Sequence, residues 1–341
     1  MSENRVGSVN DLSINIESYN NMDIILQCLL HIKKLVNYFL SNKETIKFKK
    51  NKNKLTFLFL ETIENNDENT SIKKNDVLKF QDYIENLNPP SKDLKNMILF
   101  ILTELHNELN EVRHFNPNSN GCFDENLDEY FKNYKKYFNN NYKSIIANLF
   151  YLKYNTQINC PNCEHSLNNI QCTNVLIFPF KEIIEEYENR KKHIITIYDC
   201  FNYYERENLK DRICISCRTK DYMSNNIKLM EGPKILIINI YRRAKYLMNI
   251  KFEFDEKIKL KEFIYDNKNR YNYELTSIVF NIGYEQFILF YKSLVENKWY
   301  KYDDSLVTES SFKKIKESGV PYLLFYSLIE NENFIINNYY T

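Results

Sequence analysis

Glu285-Gln286-Phe287-Ile288-Leu289-Phe290-Tyr291, followed by Lys298-Trp299-Tyr300-Lys301-Tyr302-Asp303-Asp304, reads as two short aromatic-rich strands. In the first, Phe287, Leu289 and Tyr291 alternate with Ile288 and Phe290, so apolar side chains line both faces. Similar runs lie on either side, at Val175–Phe180, Ile194–Ile197, Lys234–Tyr241, Tyr273–Phe280 and Tyr322–Tyr326. Before about residue 146 the pattern is helical. Ile24, Leu26, Leu29, Leu30, Leu35 and Phe39 give residues 20–40 one broad apolar face. Residues 91–111 repeat the pattern with Met97, Ile98, Ile101, Leu102 and Leu105, and Ser91 is the expected cap. Helices first and strands afterwards predict an α+β fold rather than alternating βαβ units. The Lys/Asn-rich segment 42–54 reads as a solvated loop, and 112–143 as an irregular, partly helical insertion.

Hydrophobic residues make up 43% of the 341 positions, enough for a sizeable core. With only 5 Gly and 7 Pro, tight turns must lean on Asn and Asp. Lys and Arg total 46 against 45 Asp and Glu, a balance that gives no global pull toward nucleic acid or anionic membrane, and neither partner is expected. No apolar run approaches the roughly 20 residues that span a bilayer, and the first residues carry no secretory apolar region. The expected location is cytoplasm or nucleus. Lys191, Lys192, Arg242, Arg243 and Lys245 form a basic patch expected to be solvated.

Cys160-Pro161-Asn162-Cys163 and Cys214-Ile215-Ser216-Cys217 are two CxxC knuckles. Each can offer two thiolates to one face of a metal, and together they complete a tetrahedral four-sulfur Zn²⁺ site, structural because no position stays open for water. The alternatives are four small buried side chains or a redox pair. Two matching knuckles argue against the first, and the absence of a helix opening at either argues against the second. His165 and the remaining Cys122, Cys172 and Cys200 are expected outside the ligand set.

With these residues in view, the chain resembles the ubiquitin-specific proteases over about residues 10–327. Leu26-Gln27-Cys28-Leu29-Leu30 is similar to the end of the family's Cys box, GLxNLGNTCYMNSxLQ. Asp93 falls at the aspartate of QQDAxEF, and Leu105-His106-Asn107-Glu108-Leu109-Asn110 matches an LHEELN-like helix end. Pro233–Ile240 resembles the PxxLxxxLKRF strand, Lys298–Val307 the KWYxFDDxxV motif, and Pro321–Tyr326 the closing YxLxY strand. The resemblance implies a papain-like cysteine-protease fold. It divides the chain into a helical thumb (10–111), a variable insertion (112–143), zinc-ribbon fingers (within 144–232) and a β-rich palm (233–327), with tails at 1–9 and 328–341.

The family cleaves the bond after ubiquitin's C-terminal glycine with a thiolate, an imidazole and an orienting Asp or Asn. Counting back from Gln27 places Asn20 at the nucleophile and Asn15 at the oxyanion position. Gln286 falls at the base and Asp303 at the orienting acid. An amide is not a thiolate, and glutamine cannot relay a proton near neutral pH. All 5 His (31, 106, 114, 165 and 193) precede the C-terminal strands. Cys28 lies too far along its helix to substitute. The resemblance therefore implies an inactive homologue, a ubiquitin-binding or scaffold subunit that works with a protein partner. The alternatives are an active deubiquitinase with a non-standard site, or a ubiquitin-independent interaction module of the kind one inactive branch supplies to spliceosome assembly.

Overall fold

The computed structural model describes residues 21–67, 70–112, 126–188, 194–242, 245–266, 271–283, 286–303 and 306–330. Contacts group the chain into two units, Met1–Leu109 with Ser277–Tyr322, and Asn110–Thr276 with Leu323–Thr341.

The first unit opens with six helices: α1 (Asn21–Leu30), α2 (Lys33–Ser41), α3 (Lys43–Phe48), α4 (Lys54–Asn65), α5 (Lys74–Asn86) and α6 (Leu94–Leu109). The single helix expected over 20–40 is two, α1 and α2, bent by 80°. Ile32 is extended (φ −101°, ψ 93°), and its N–H turns back to the Leu29 carbonyl. The apolar residues had merged two different faces. Met22, Ile24, Ile25, Leu26, Cys28 and Leu29 are buried on every side of α1, whereas α2 buries only Leu35 and Phe39. No single helix among the described residues is long and apolar enough to cross a membrane.

Edge-to-face contacts from Phe39 to Phe59 and from Phe59 to Phe80 link α2, α4 and α5. Helix α6 starts on Asp93, not Ser91: the Asp93 carboxylate accepts from Asn96 N at 3.0 Å, and Ser91 Oγ donates to that carboxylate. At its other end, Glu108 caps a different helix. Its carboxylate accepts from Leu55 N (3.0 Å), Thr56 N (2.7 Å) and Thr56 Oγ1 (2.7 Å), satisfying donors that the N-cap residue Asn53 leaves open.

The second unit begins with α7 (Leu127–Asn141) and α8 (Ile145–Phe150). Helix α7 is the helical part expected of the 112–143 insertion, and it spans Leu127–Asn141. Asn126 caps it through Asp128 N, and Tyr130, Phe131, Tyr134 and Phe138 bury one helical face against Ala147, Ile170 and Met230. Next come β1 (Leu152–Asn159), β2 (Ser166–Thr173), β3 (Leu176–Pro179), α9 (Phe180–Glu188), β4 (Ile194–Thr196), α10 (Ile197–Glu205), β5 (Asn208–Ile213), β6 (Lys220–Glu231), β7 (Ile235–Tyr241), β8 (Lys251–Glu253), β9 (Lys257–Lys259) and β10 (Asn272–Gly283). Four of these form a sheet in the order β2-β1-β6-β5. Lys153 and Lys135 share the Glu231 carboxylate at 3.3 and 3.2 Å, and Lys135 also meets Asp266 at 2.9 Å, tying α7 to this sheet. Arg242 is not a solvated patch residue. It is buried, lies over the Phe180 ring and donates to the Leu247 and Ile250 carbonyls. The other four residues of that patch lie outside the described side chains.

The chain then returns to the first unit as β11 (Gln286–Lys292), β12 (Trp299–Asp303), β13 (Leu306–Ser310) and α11 (Phe312–Lys316) before β14 (Val320–Leu328). Strands β10 to β13 form an antiparallel meander. Within the second unit, β14 runs antiparallel to β7, and β7 parallel to β3. Asn does replace glycine at Asn88 and Asn297, both with positive φ, but Glu164, Arg218 and Tyr271 do so too.

Replacing Glu108 with Ala leaves two helix N–H groups without a carboxylate, a loss of about 1–3 kcal/mol. A thermal melt of Glu108→Ala is expected to fall by several degrees; an unchanged midpoint would count against the cross-helix cap.

Candidate functional site

Two places carry chemistry. The first is the cysteine cluster of the second unit. Strand β1 ends at Asn159 and β6 begins at Lys220, and the two strands are paired neighbours with Asn159 opposite Ser224. The turn after β1 and the turn before β6 therefore emerge side by side. Both turns have one backbone pattern. Cys160 N donates to His165 O and Glu164 N to Cys160 O; Cys214 N donates to Thr219 O and Arg218 N to Cys214 O. Glu164 and Arg218 take matching positive φ values of 57° and 62°. Asn162 Nδ2 reaches across to Asp221 at 2.9 Å.

The sulfurs of Cys160, Cys163, Cys214 and Cys217 all lie within 4.8 Å of one another. Cys160 and Cys217 are 3.8 Å apart, and Cys163 and Cys214 3.7 Å. A tetrahedral Zn²⁺ with Zn–S of about 2.3 Å sets its sulfurs about 3.8 Å apart. The donor set fits one structural ion, and His165 takes no part in it.

The second place is one end of the first unit's meander. In β11 and β12, Leu289 pairs with Tyr302, Phe290 with Lys301 and Tyr291 with Tyr300. By strand alternation, Gln286, Ile288 and Phe290 share a face with Lys301 and Asp303. Because the strands are antiparallel, the start of β11 and the end of β12 lie at the same edge of the meander, which makes Gln286 and Asp303 diagonal neighbours. Gln286 is exposed. It pairs with Gly283, whose φ of +132° and bulge let the chain reverse there. The Asp303 carboxylate accepts from Lys301 Nζ at 2.5 Å.

The opposite face carries Leu289, Tyr291, Tyr300 and Tyr302, and it meets α1. Tyr302 donates its hydroxyl to Asp23 in the first turn of that helix. Further along, the rings of His31 and Tyr291 lie 3.6 Å apart. The first turn of α1, Gln286 and Asp303 thus gather at one end of the unit. Asn15, Asn20, Glu285 and Asp304 lie outside the described residues.

Sequence reasoning passed over Asp23. Burial pushes its carboxyl from 3.8 up to about 6, against the Tyr302 hydrogen bond, which favours the anion. Its Oδ1 is buried without a partner among the described residues. The signal was available, because the Cys-box pattern puts asparagine at this position and KWYxFDDxxV puts phenylalanine where Tyr302 stands. Cys28, by contrast, is where sequence placed it. It is 1% exposed, and burial pushes its thiol far above the usual range. Burial also raises the Cys172 and Cys200 thiols.

Helices ahead of strands, a four-sulfur zinc ribbon and this convergence of helix start and strand ends define an α+β protein of the papain-like cysteine-protease class. The family model for ubiquitin carboxyl-terminal hydrolase matches residues 14–326, and the chain belongs to that family. It is 25% identical over 335 residues to human ubiquitin carboxyl-terminal hydrolase 2, covering 90% of this chain and 53% of that protein. Against ubiquitin carboxyl-terminal hydrolase 5 of Saccharomyces cerevisiae it is 23% identical over 377 residues, covering 94% and 45%. The chain spans about half the length of the curated relatives it matches. Among solved structures, a chain of the yeast SAGA DUB module superposes with a TM-score of 0.66 at 18% identity, covering 93% of this chain and 68% of that one. A SAGA DUB module bound to monoubiquitin gives 0.57 at 18% identity, covering 92% and 67%. These likenesses show the shared fold.

Metal analysis of the purified chain is expected to give one zinc, lost in Cys214→Ser together with a lowered melting temperature. Full zinc content in that variant would remove the cysteine from the ligand set. Asp23 makes a pH-dependent contribution with a definite sign. Its folded-state pKa is raised, so the contribution favours folding at low pH and is lost as pH rises from about 4 through about 6. Asp23→Asn is expected to match the parent near pH 4 and to exceed it above pH 7, by up to about 3 kcal/mol. Urea titrations at both pH values check this, and a pH-independent difference would contradict it.

Proposed function

We propose that this chain is a catalytically silent member of its family, retained as a ubiquitin-binding or complex-forming module. The observation that carries the reading is Gln286 at the exposed start of β11, on the face of Asp303. Its amide stands where the family's proton carrier belongs, and Asp303 is engaged by Lys301 instead of an imidazole. His31, His106 and His165, the described histidines, lie elsewhere: just past the end of α1 against Tyr291, in the last turn of α6, and beside the zinc cluster. Asn20 at the nucleophile position adds a second loss. The burial of Cys28 and Cys200 supports the same reading, since a proton-holding interior thiol is a poor nucleophile, and partial burial also raises the half-buried Cys172 thiol. Loss of one acting member of such a triad costs about 10⁴–10⁶ in kcat. The SAGA modules, solved with partner subunits and in one case with monoubiquitin, are the precedent for a family member working inside a complex.

With a fluorogenic ubiquitin substrate, no turnover above background is expected, whereas turnover abolished by changing a single cysteine would overturn the proposal of silence. Calorimetric titration with mono-ubiquitin is expected to give a modest affinity with little salt dependence, in keeping with the net charge of +1. No heat at high protein concentration would leave only the complex-forming role.

A further inference from the structure

The segment expected to be a solvated loop, 42–54, is an ordered helix and turn with an unusual surface. Phe48, the last residue of α3, is 90% exposed, more than any other large apolar side chain among the described residues. Around it in sequence stand Lys43, Lys47, Lys49, Lys50, Lys52 and Lys54, with Glu44 the only acid between them. Lys47 pairs with Glu64 at 2.8 Å, and Lys54 lies over the Tyr83 ring. Lys43, Lys49, Lys50 and Lys52 are exposed and make no ion pair among the described residues.

The turn is held, not loose. Lys49 N donates to Thr45 O, Lys52 N to Lys49 O and Asn53 N to Lys49 O. Asn53 Nδ2 pins the turn to Glu108 O at 2.8 Å, and Ile46 is buried beneath α3. A single exposed Phe is ordinary on a protein surface. One held outward at the crest of a lysine cluster, where it contributes nothing to the core, is different.

We propose that the turn between α3 and α4 is a peripheral contact for anionic membrane surfaces. Phe48 enters the boundary between headgroups and acyl chains, while Lys43, Lys49, Lys50 and Lys52 meet acidic headgroups. The balance of 46 basic against 45 acidic residues does not oppose this. Screening confines electrostatic attraction to about 8 Å at physiological salt, so a membrane responds to the charge of the patch and not to the sum over the chain. Two features favour a membrane over nucleic acid. Every cation in the patch is a lysine, a hydrated point charge, with none of the forked arginines that grip phosphates and bases. The aromatic is also solitary at a helix end, whereas single-stranded nucleic acids are held by several stacking rings along a groove.

The test is flotation of the full chain with phosphatidylcholine vesicles and with phosphatidylcholine–phosphatidylserine vesicles. Binding to the acidic vesicles alone is expected, weakening with salt. Lys49→Gln and Lys50→Gln are each expected to lower that affinity about fivefold. Phe48→Ser, which leaves every charge in place, is expected to lower it about tenfold. These positions are exposed, so the melting temperatures of the variants should match the parent. Failure to bind acidic vesicles at low salt would overturn the proposal, as would unchanged binding by Phe48→Ser. Single-stranded RNA that binds more tightly than the vesicles, and is lost with the same lysine changes, would overturn it in favour of nucleic acid.

Discussion

The first unit depends on the contact between α1 and the β11–β12 hairpin. Tyr302 and Asp23 are separated by 279 positions in the chain, yet they share a buried hydrogen bond. The ring pair of His31 and Tyr291 fixes the other end of the same helix. Two contacts along one helix set both its position and its direction. They bring the helix start beside the strand ends that carry Gln286 and Asp303. An active thiol protease needs this juxtaposition so that nucleophile and base meet. In this chain those strand ends carry the Gln286 amide and the Asp303 carboxylate, which accepts from Lys301.

The contact between Tyr302 and Asp23 has an energetic consequence of its own. Tyr302 and Asp23 form a buried polar pair between β12 and α1, and the pair has a cost because the carboxyl is desolvated.

The second unit relies on a different constraint. Its four-stranded sheet is mostly half-exposed along β1 and β2, so apolar burial alone gives it limited support. Metal ligation closes one end through two turns of the same geometry, and α7 covers another part with an aromatic face and the Lys135–Glu231–Lys153 ion network. Zinc binding of this kind contributes on the order of 10 kcal/mol to folding, an amount comparable to the stability of a whole domain.

The sequence by itself determined the four zinc ligands, the helices-then-strands order and the absence of an imidazole after His193. Each of these is a matter of residue identity and local spacing. Sequence showed the 112–143 segment as partly helical but not the buried face of α7, because its Asn and Lys richness masked the burial rhythm of Tyr130, Phe131, Tyr134 and Phe138. Local periodicity also ran α1 and α2 together, since two buried faces meeting at a bend look like one in a linear pattern. Only the tertiary structure decided what Asp23 faces, what holds Asp303, which helix Glu108 caps and that Phe48 stands in solvent. Asp23 and Glu108 meet partners dozens to hundreds of residues away, beyond what helix or strand periodicity encodes, whereas Asp303 is held from two residues away by Lys301 on its own strand face.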